Sequence, residues 1–493
     1  MAGEGGPGLR TGTAAGRWIV AAAVLGSGVA FLDATVVNVA LPAIGRDLGA
    51  GLSGLQWVVD GYLLTLGSLL LLGGSLGDIY GRRRIFLAGL GAFCAASLLC
   101  GLAPSIGFLV AARALQGVGG ALLVPGSLAL ISSSFRASDR GEAVGAWSAL
   151  SGVSTAAGPF LGGWLVDAAS WRWVFLVNLP LAGVAAWVTL RHVPETRNPA
   201  GRRPDWAGAA LVTAGLGAVV FALIEATSTG RITPVLAVVG LAGVAALAAF
   251  PAVQRRRADP LVPLEIFRNR QFTGANVTTL AVYAAFGGAL FLIVVHLQET
   301  LGYSALAAGS SLLPVTLLMF MLSTRTARLA QRIGPRLPMT AGPLVVAAGL
   351  ALGAGIDAGD TYVADVLPAV AVLGLGLALT VAPLTAAVMG AVDERFVGVG
   401  SGLNNAVARV GSLLSVALLP LAAGLGGAVP GGEAFSAGIG RALRLAAGLA
   451  VAGGVVAFVS VRRAAAVTPL VQPSVAQCCH DPASRQSARS GSP

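Results

Sequence analysis

In the first third of this 493-residue chain, three ionisable side chains stand inside long apolar runs. They are Asp33, in Phe31-Leu32-Asp33-Ala34-Thr35, Asp60, in Trp57-Val58-Val59-Asp60-Gly61-Tyr62, and Arg113, in Arg113-Ala114-Leu115-Gln116-Gly117. A charge inside a membrane is expensive and is functional by default. At 1.5 Å of helical rise per residue, Asp33 lies roughly 12 Å and Arg113 about 10 Å below the outer membrane surface, so the two sit at similar depth. A neighbouring cation favours an ionised carboxylate, while removal from water favours the neutral acid. A cavity opening and closing at Asp33 would therefore load and release a proton, with Arg113 tuning the site. The competing reading is a static ion pair that holds two helices together. Asp60, about 8 Å below the outer surface, is a site for a cationic substrate, a second proton site, or a solvated residue at the outer mouth.

Other chemistries are limited by what the chain lacks. All 32 basic residues are arginine. Without lysine there is no phosphate-cradling GxxxxGK[ST] loop, so ATP is not expected as a partner and uphill work must draw on an ion gradient or another subunit. Three histidines, at 192, 296 and 480, offer no nucleophilic triad, and the chain does not read as an enzyme. Cys478-Cys479-His480 falls short of a zinc set, and no metal or other cofactor is expected. Cys94 and Cys100 share one apolar run and read as packing residues.

The elements that must carry these residues are membrane helices. Hydrophobic residues make up 56% of the chain, charged ones only 11%, and mean hydropathy is +0.82; soluble domains are about a quarter charged. Fourteen spans are expected, from 17–41 to 437–461, giving an all-α polytopic membrane protein. The net charge of +11 is a matter of topology, not of nucleic acid: 25 arginines fall on one side of these spans, 5 on the other and 2, Arg113 and Arg409, inside. By the positive-inside rule the arginine-rich face is cytoplasmic and both termini lie there. His296, Gln298 and Glu299 cluster at an outer helix end and read as interfacial.

An internal repeat divides the chain. Leu76-Gly77-Asp78-x-x-Gly81-Arg82-Arg83 and Leu329-Ala330-Gln331-x-x-Gly334-Pro335-Arg336 lie 253 residues apart; Gly117, Gly119 and Ala121 correspond to Gly374, Gly376 and Ala378 at an offset of 257. Duplicated halves with a site between them are a common transporter plan. The expected divisions are a polar lead at 1–16, a six-helix bundle at 17–191, a linker with two inserted helices at 192–270, a second six-helix bundle at 271–463 and a disordered tail at 464–493.

The stretch Ser151 to Pro180 joins an apolar run holding Gly152, Gly158, Pro159, Gly162 and Gly163 to Trp171-Arg172-Trp173-x-Phe175-x-x-Asn178-x-Pro180. In lipid such a segment is forced helical; its glycines would form a groove for a neighbouring helix and its proline a bend. This stretch resembles the fifth-helix antiporter signature of the major facilitator superfamily, in its fourteen-helix drug:proton antiporter branch. Phe31 to Pro42 is similar to the family's first-helix signature, and Arg113 to Gly117 to the fourth-helix signature associated with proton coupling. Gly74-Ser75-Leu76-Gly77-Asp78-x-x-Gly81-Arg82-Arg83-Arg84 resembles the superfamily signature between helices 2 and 3. There Gly74 and Gly77 would allow close helix contact and Gly81 the turn, and Asp78 would meet the N-terminal end of helix 13, near Gly400 and Ser401, as a latch of the outward-facing state. In the second copy Gln331 replaces the acid. Members of the branch that export organic cations carry an acid in a context like that of Asp60. The resemblance implies the major facilitator fold and proton-driven efflux of small lipophilic drugs or antibiotics, cationic ones included, across the inner or plasma membrane. Proton-coupled uptake by the same fold and a non-transporting scaffold or receptor are the alternatives.

Overall fold

The computed structural model describes residues 9–197, 204–393 and 396–461. The first half of the polar lead and the tail with Cys478, Cys479 and His480 lie outside the described residues. Among the described residues, fourteen helices are long and apolar enough to cross a membrane. In chain order they are α1 Ala14–Leu48, α2 Leu52–Tyr80, α3 Arg82–Gly101, α4 Ile106–Ser134, α5 Ala137–Ala168, α6 Trp173–His192 and α7 Trp206–Thr229. Then follow α8 Pro234–Arg255, α9 Arg270–Glu299, α10 Ala305–Ile333, α11 Arg336–Gly353, α12 Tyr362–Met389, α13 Val397–Ala422 and α14 Glu433–Ser460. Many begin where a short polar side chain accepts a free first-turn N–H, as Thr13, Ser105, Asp205, Thr233, Asn269, Ser304 and Thr361 do.

Two differences from the expected spans matter. α1 continues to Leu48 rather than ending near Leu41, so Asp33 lies about 22 Å from its end by helical rise. Since Asp33 touches Arg113, the last turns of α1 project beyond the end of α4. α6 is interrupted at Val177, between Trp173–Leu176 and Asn178–His192.

The repeat is visible in the packing. α1 lies on α5 and α6 as α9 lies on α13 and α14; α4 lies on α2 and α3 as α12 lies on α10 and α11. Gly117 and Gly374 fill the same role: a Cβ on either would run into the backbone of the facing helix, α2 in one case and α10 in the other. Gly119 faces α3 at Phe93, and Gly376 faces α11 at Val346. Small residues that let backbones approach this closely drive helix association in membranes. The inserted helix α7 packs on α2 and on α13, so it bridges the two sets, while α8 rests on α7 and exposes Val235, Val238 and Leu241.

The two sets meet at the arginine-poor end. Gln56 on α2 donates to the Val416 carbonyl of α13 (2.7 Å), and Gln298 on α9 to the Val39 carbonyl of α1 (2.9 Å). Arg46 pairs with Glu299 at 2.9 Å. Asp167, at the end of α5, accepts from the N–H groups of Ala305 and Leu306 at the start of α10. Gln298, at 8% exposure, and Glu299 thus belong to the closed seam, while His296, at 3%, is buried within the second set, where its ring bonds the Ile356 carbonyl. Toward the arginine-rich end the sets part along α5, where a Cβ on Gly141, Gly145 or Gly152 would meet no atom within 4 Å.

Candidate functional site

α1, α3, α4 and α6 converge on Asp33. Arg113 Nη1 donates to Asp33 Oδ2 at 2.5 Å, Gln116 Nε2 to Oδ1 at 2.8 Å and Asn178 Nδ2 to the same Oδ1 at 3.0 Å. Ser97 Oγ accepts from Gln116 at 2.8 Å and from Asn178 at 3.4 Å. Arg113 also donates to Gln116 Oε1 (2.6 Å) and, through Nε, to the Val58 carbonyl of α2 (3.1 Å). Its guanidinium carbon lies 4.3 Å from the Tyr62 ring centroid and 5.7 Å from that of Phe175. Asp33, Ser97, Gln116 and Asn178 are 0% exposed and Arg113 2%. Charge-assisted bonds of this kind are the strong kind, and breaking such a buried pair costs about 3–5 kcal/mol.

Asp33 and Arg113 are thus brought together as the sequence expects; Gln116, Asn178 and Ser97 complete the cage. The interruption in α6 falls where it serves the site, because Phe175 lies against Arg113 and Asn178 reaches Asp33 from the far side of the break. Trp171 Nε1 (2.9 Å) and Arg172 Nη1 (2.6 Å) both donate to Asp47 Oδ2 near the end of α1, which anchors the α5–α6 connection. The signal for Asn178 was present as a polar residue following an aromatic run, but its partner lies on α1 and is not readable from local sequence.

Asp60 is not solvated. It is 0% exposed, and neither carboxylate oxygen has a hydrogen-bond partner among the described residues. Arg409, on α13, lies against Gly67 of α2.

Of the fifth-helix glycines, Gly158 and Gly162 face α1 at Thr35 and Val36, and Gly163 faces Ala305 and Leu306 of α10. Pro159 lies against Gly309. Gly152 departs from the expected packing role: it faces open space in this conformation.

At the other end, Gly81 adopts φ +110, a conformation that excludes ordinary side chains, and Gly334 takes φ +86 at the matching turn of the second copy. Neither Gly74 nor Gly77 makes the expected close helix approach: a Cβ on Gly74 would lie 3.6 Å from Pro125, and one on Gly77 4.0 Å from Arg82. Asp78 accepts from Arg82 Nε at 3.0 Å and Nη2 at 2.7 Å. These are its hydrogen bonds among the described residues, so the expected contact with the start of α13 is not made while the arginine-rich end is parted. Glu195, which the sequence reading did not single out, accepts from the backbone N–H of Arg83 and Arg84 at the first turn of α3, where a carboxylate suits the helix dipole. Arg83 Nη2 donates to the Leu190 carbonyl.

Two helix sets closed against each other at one end and parted at the other, with an ion pair sealed inside one of them, are the layout of a multi-pass membrane transporter. Residues 23–416 match the model of the Major Facilitator Superfamily, and the chain belongs to that family. It is 37% identical over 396 residues to multidrug resistance protein Stp of Mycobacterium tuberculosis, covering 80% of this chain and 73% of that protein. It is 40% identical over 395 residues to puromycin resistance protein pur8 of Streptomyces alboniger, covering 79% of this chain and 78% of that protein. A crystal structure of peptide transporter POT in complex with sulfate superposes with a TM-score of 0.67 at 14% identity, over 92% of this chain and 96% of that one, a likeness of fold alone.

Proposed function

We propose that this protein exports small lipophilic compounds, antibiotics and cationic drugs among them, in exchange for protons. The observation that carries the coupling is the caged Asp33: a carboxylate sealed from solvent under Arg113, Gln116 and Asn178 has no structural need that an apolar residue could not meet more cheaply. Relatives named for drug and puromycin resistance support export. The arginine asymmetry supports an inner or plasma membrane orientation with both termini cytoplasmic, and the parted end then faces the cytoplasm. The bundles are 17–191 and 271–463, with the inserted pair α7 and α8 between them.

On this reading Asp78, with Gly74, Gly81, Arg82 and Arg83, is a latch in its released form. When the cytoplasmic end closes, Asp78 trades Arg82 for the N-terminal end of α13. Asp60 acts on a cationic substrate or a second proton.

The experiment is uptake into inside-out proteoliposomes of dyes and antibiotics first identified by resistance profiling in a host lacking its own pumps. An imposed proton gradient drives accumulation by the wild type, and Asp33→Asn abolishes it. Undiminished accumulation after collapse of both the pH difference and the voltage removes the proton from the mechanism.

A further inference from the structure

Asp60 sits on the face of α2 that closes on α13. Four residues before it, Gln56 is bonded to the Val416 carbonyl; seven after it, Gly67 lies against Arg409. Leu413 and Ala417, both 0% exposed, fill the α13 side of the seam between those contacts. α7 covers the seam from outside, with Phe221 against Trp57 at 6.4 Å between ring centroids. Nothing drug-sized reaches Asp60 in this state.

No cation offsets it either. The helices packed on α2 carry a short inventory of ionisable groups. Arg113 on α4 is committed to Asp33, Gln116 and the Val58 carbonyl. Asp33 on α1 is caged, and Arg17, Arg46 and Asp47 are near that helix's ends. Glu225 on α7 adds negative charge; α3 carries Cys94, Cys100 and the arginines 82–84 at its far end; Tyr62 is the neighbour on α2 itself. Arg409 on α13 is the nearest uncommitted cation, and the side chains its charge reaches are Tyr62 and Tyr283. Side chains tilt toward the N-terminus of their own helix, and α2 and α13 run antiparallel, so the tilt rule sends Asp60 toward the arginine-poor face and Arg409 toward the arginine-rich one. Asp60 forms no ion pair among the described residues.

Closing such a seam over an ionised carboxylate strands a bare charge in a medium that cannot solvate it, whereas closing it over the neutral acid does not. We infer that Asp60 is a proton-operated lock on the arginine-poor gate: α2 and α13 close there when the carboxyl carries a proton and part when it ionises. This rests on the transporter reading and narrows it, since it assigns Asp60 to the proton rather than to a drug cation.

The lock is tested without any drug. Spin labels are placed at Ser53→Cys and Ala422→Cys, at the arginine-poor ends of α2 and α13, in full-length protein whose four cysteines are serine, reconstituted in lipid nanodiscs. As pH rises from about 5.5 to about 8.5, the ratio of long to short distances is expected to rise about fivefold or more. Asp60→Asn is expected to hold the short distance throughout, and Asp60→Glu to keep the shift. If Asp60→Asn does not insert, Asp60→Ser supplies the neutral side chain. A shift that persists undiminished in the neutral variants overturns the lock, as does a parent protein that never parts over this range. Loss of tetraphenylphosphonium binding in Asp60→Asn with the pH shift intact overturns it in favour of a cation site. Because the distance measurement is made without substrate, failure of the export assay and failure of the lock are separate results.

Discussion

Asn178 and Asp33 are 145 residues apart in the chain and 3.0 Å apart in the fold. The bond joins the first helix to the sixth just after the break at Val177, and it is made to the same carboxylate oxygen that Gln116 holds at 2.8 Å. A helix interruption, an aromatic run and a buried acid thereby become parts of one device. If Asp33 exchanges a proton, each donor in the cage sets how firmly its charged form is held.

Removing Asn178 tests that directly. A hydrogen bond to a charged group is worth about 1.5–3 kcal/mol, so Asn178→Leu is expected to lower proton-driven accumulation in proteoliposomes about tenfold or more. The fold should persist, because Arg113 and Gln116 still bind Asp33. A variant that accumulates substrate at the parent rate shows that the amide is dispensable.

Gly163 should not tolerate a side chain. A Cβ there would sit 2.5 Å from the Ala305 carbonyl oxygen and from Leu306 Cα, and overpacking of this kind costs about 1–3 kcal/mol. Gly163→Val is expected to pry α5 from α10 at the arginine-poor end. The check is labelling of Ala308→Cys, unexposed in the closed state, by an impermeant maleimide: it should rise severalfold. Gly152→Ala, facing open space, should alter thermal stability by no more than about 0.5 kcal/mol.

Asp167 holds the start of α10 across the seam through the N–H groups of Ala305 and Leu306. Losing such a cap costs about 1 kcal/mol, or about fivefold in a two-state equilibrium. Asp167→Ala is therefore expected to enrich the conformation open at the arginine-poor face about fivefold, read by the distance between labels at Ser53→Cys and Ala422→Cys. An unchanged distribution means that the helix start finds another acceptor.

Asp205 gives an acid-sensitive contact outside the spans. Burial works against its charge, but the Gly208 N–H at 2.9 Å, the Gln254 amide at 2.6 Å and Arg257 outweigh it, holding the carboxyl below its usual range. A carboxylate depressed in the folded state contributes stability that is present above its unfolded value and lost as pH falls through the folded one. The α7–α8 pair is thus expected to loosen only below about pH 4, seen as faster amide hydrogen exchange in residues 206–229. Asp205→Asn keeps a capping oxygen but loses the charge that strengthens these bonds, so it should cost about 1 kcal/mol at neutral pH and remove that acid step.

Much of this protein is written locally. A run of about twenty apolar residues has one stable form in lipid, so the helices, their number and the arginine-marked face follow from composition alone. The duplication is legible too, because Gly117 with Gly374 and Gly119 with Gly376 answer the same close approach in each half. Asp33 and Arg113 announce themselves because a charge in hydrocarbon must have a reason. What local sequence does not contain is who stands opposite whom. Asn178 and Ser97 become partners of Asp33 only when four helices meet; Asp60 is shut from water because α2 is packed on by its neighbours; and Gly152 and Gly163, alike in sequence, differ because the seam between the halves is parted beside one and shut beside the other. Those are properties of how whole helices are set against one another, not of any one segment, and tertiary structure alone decides them.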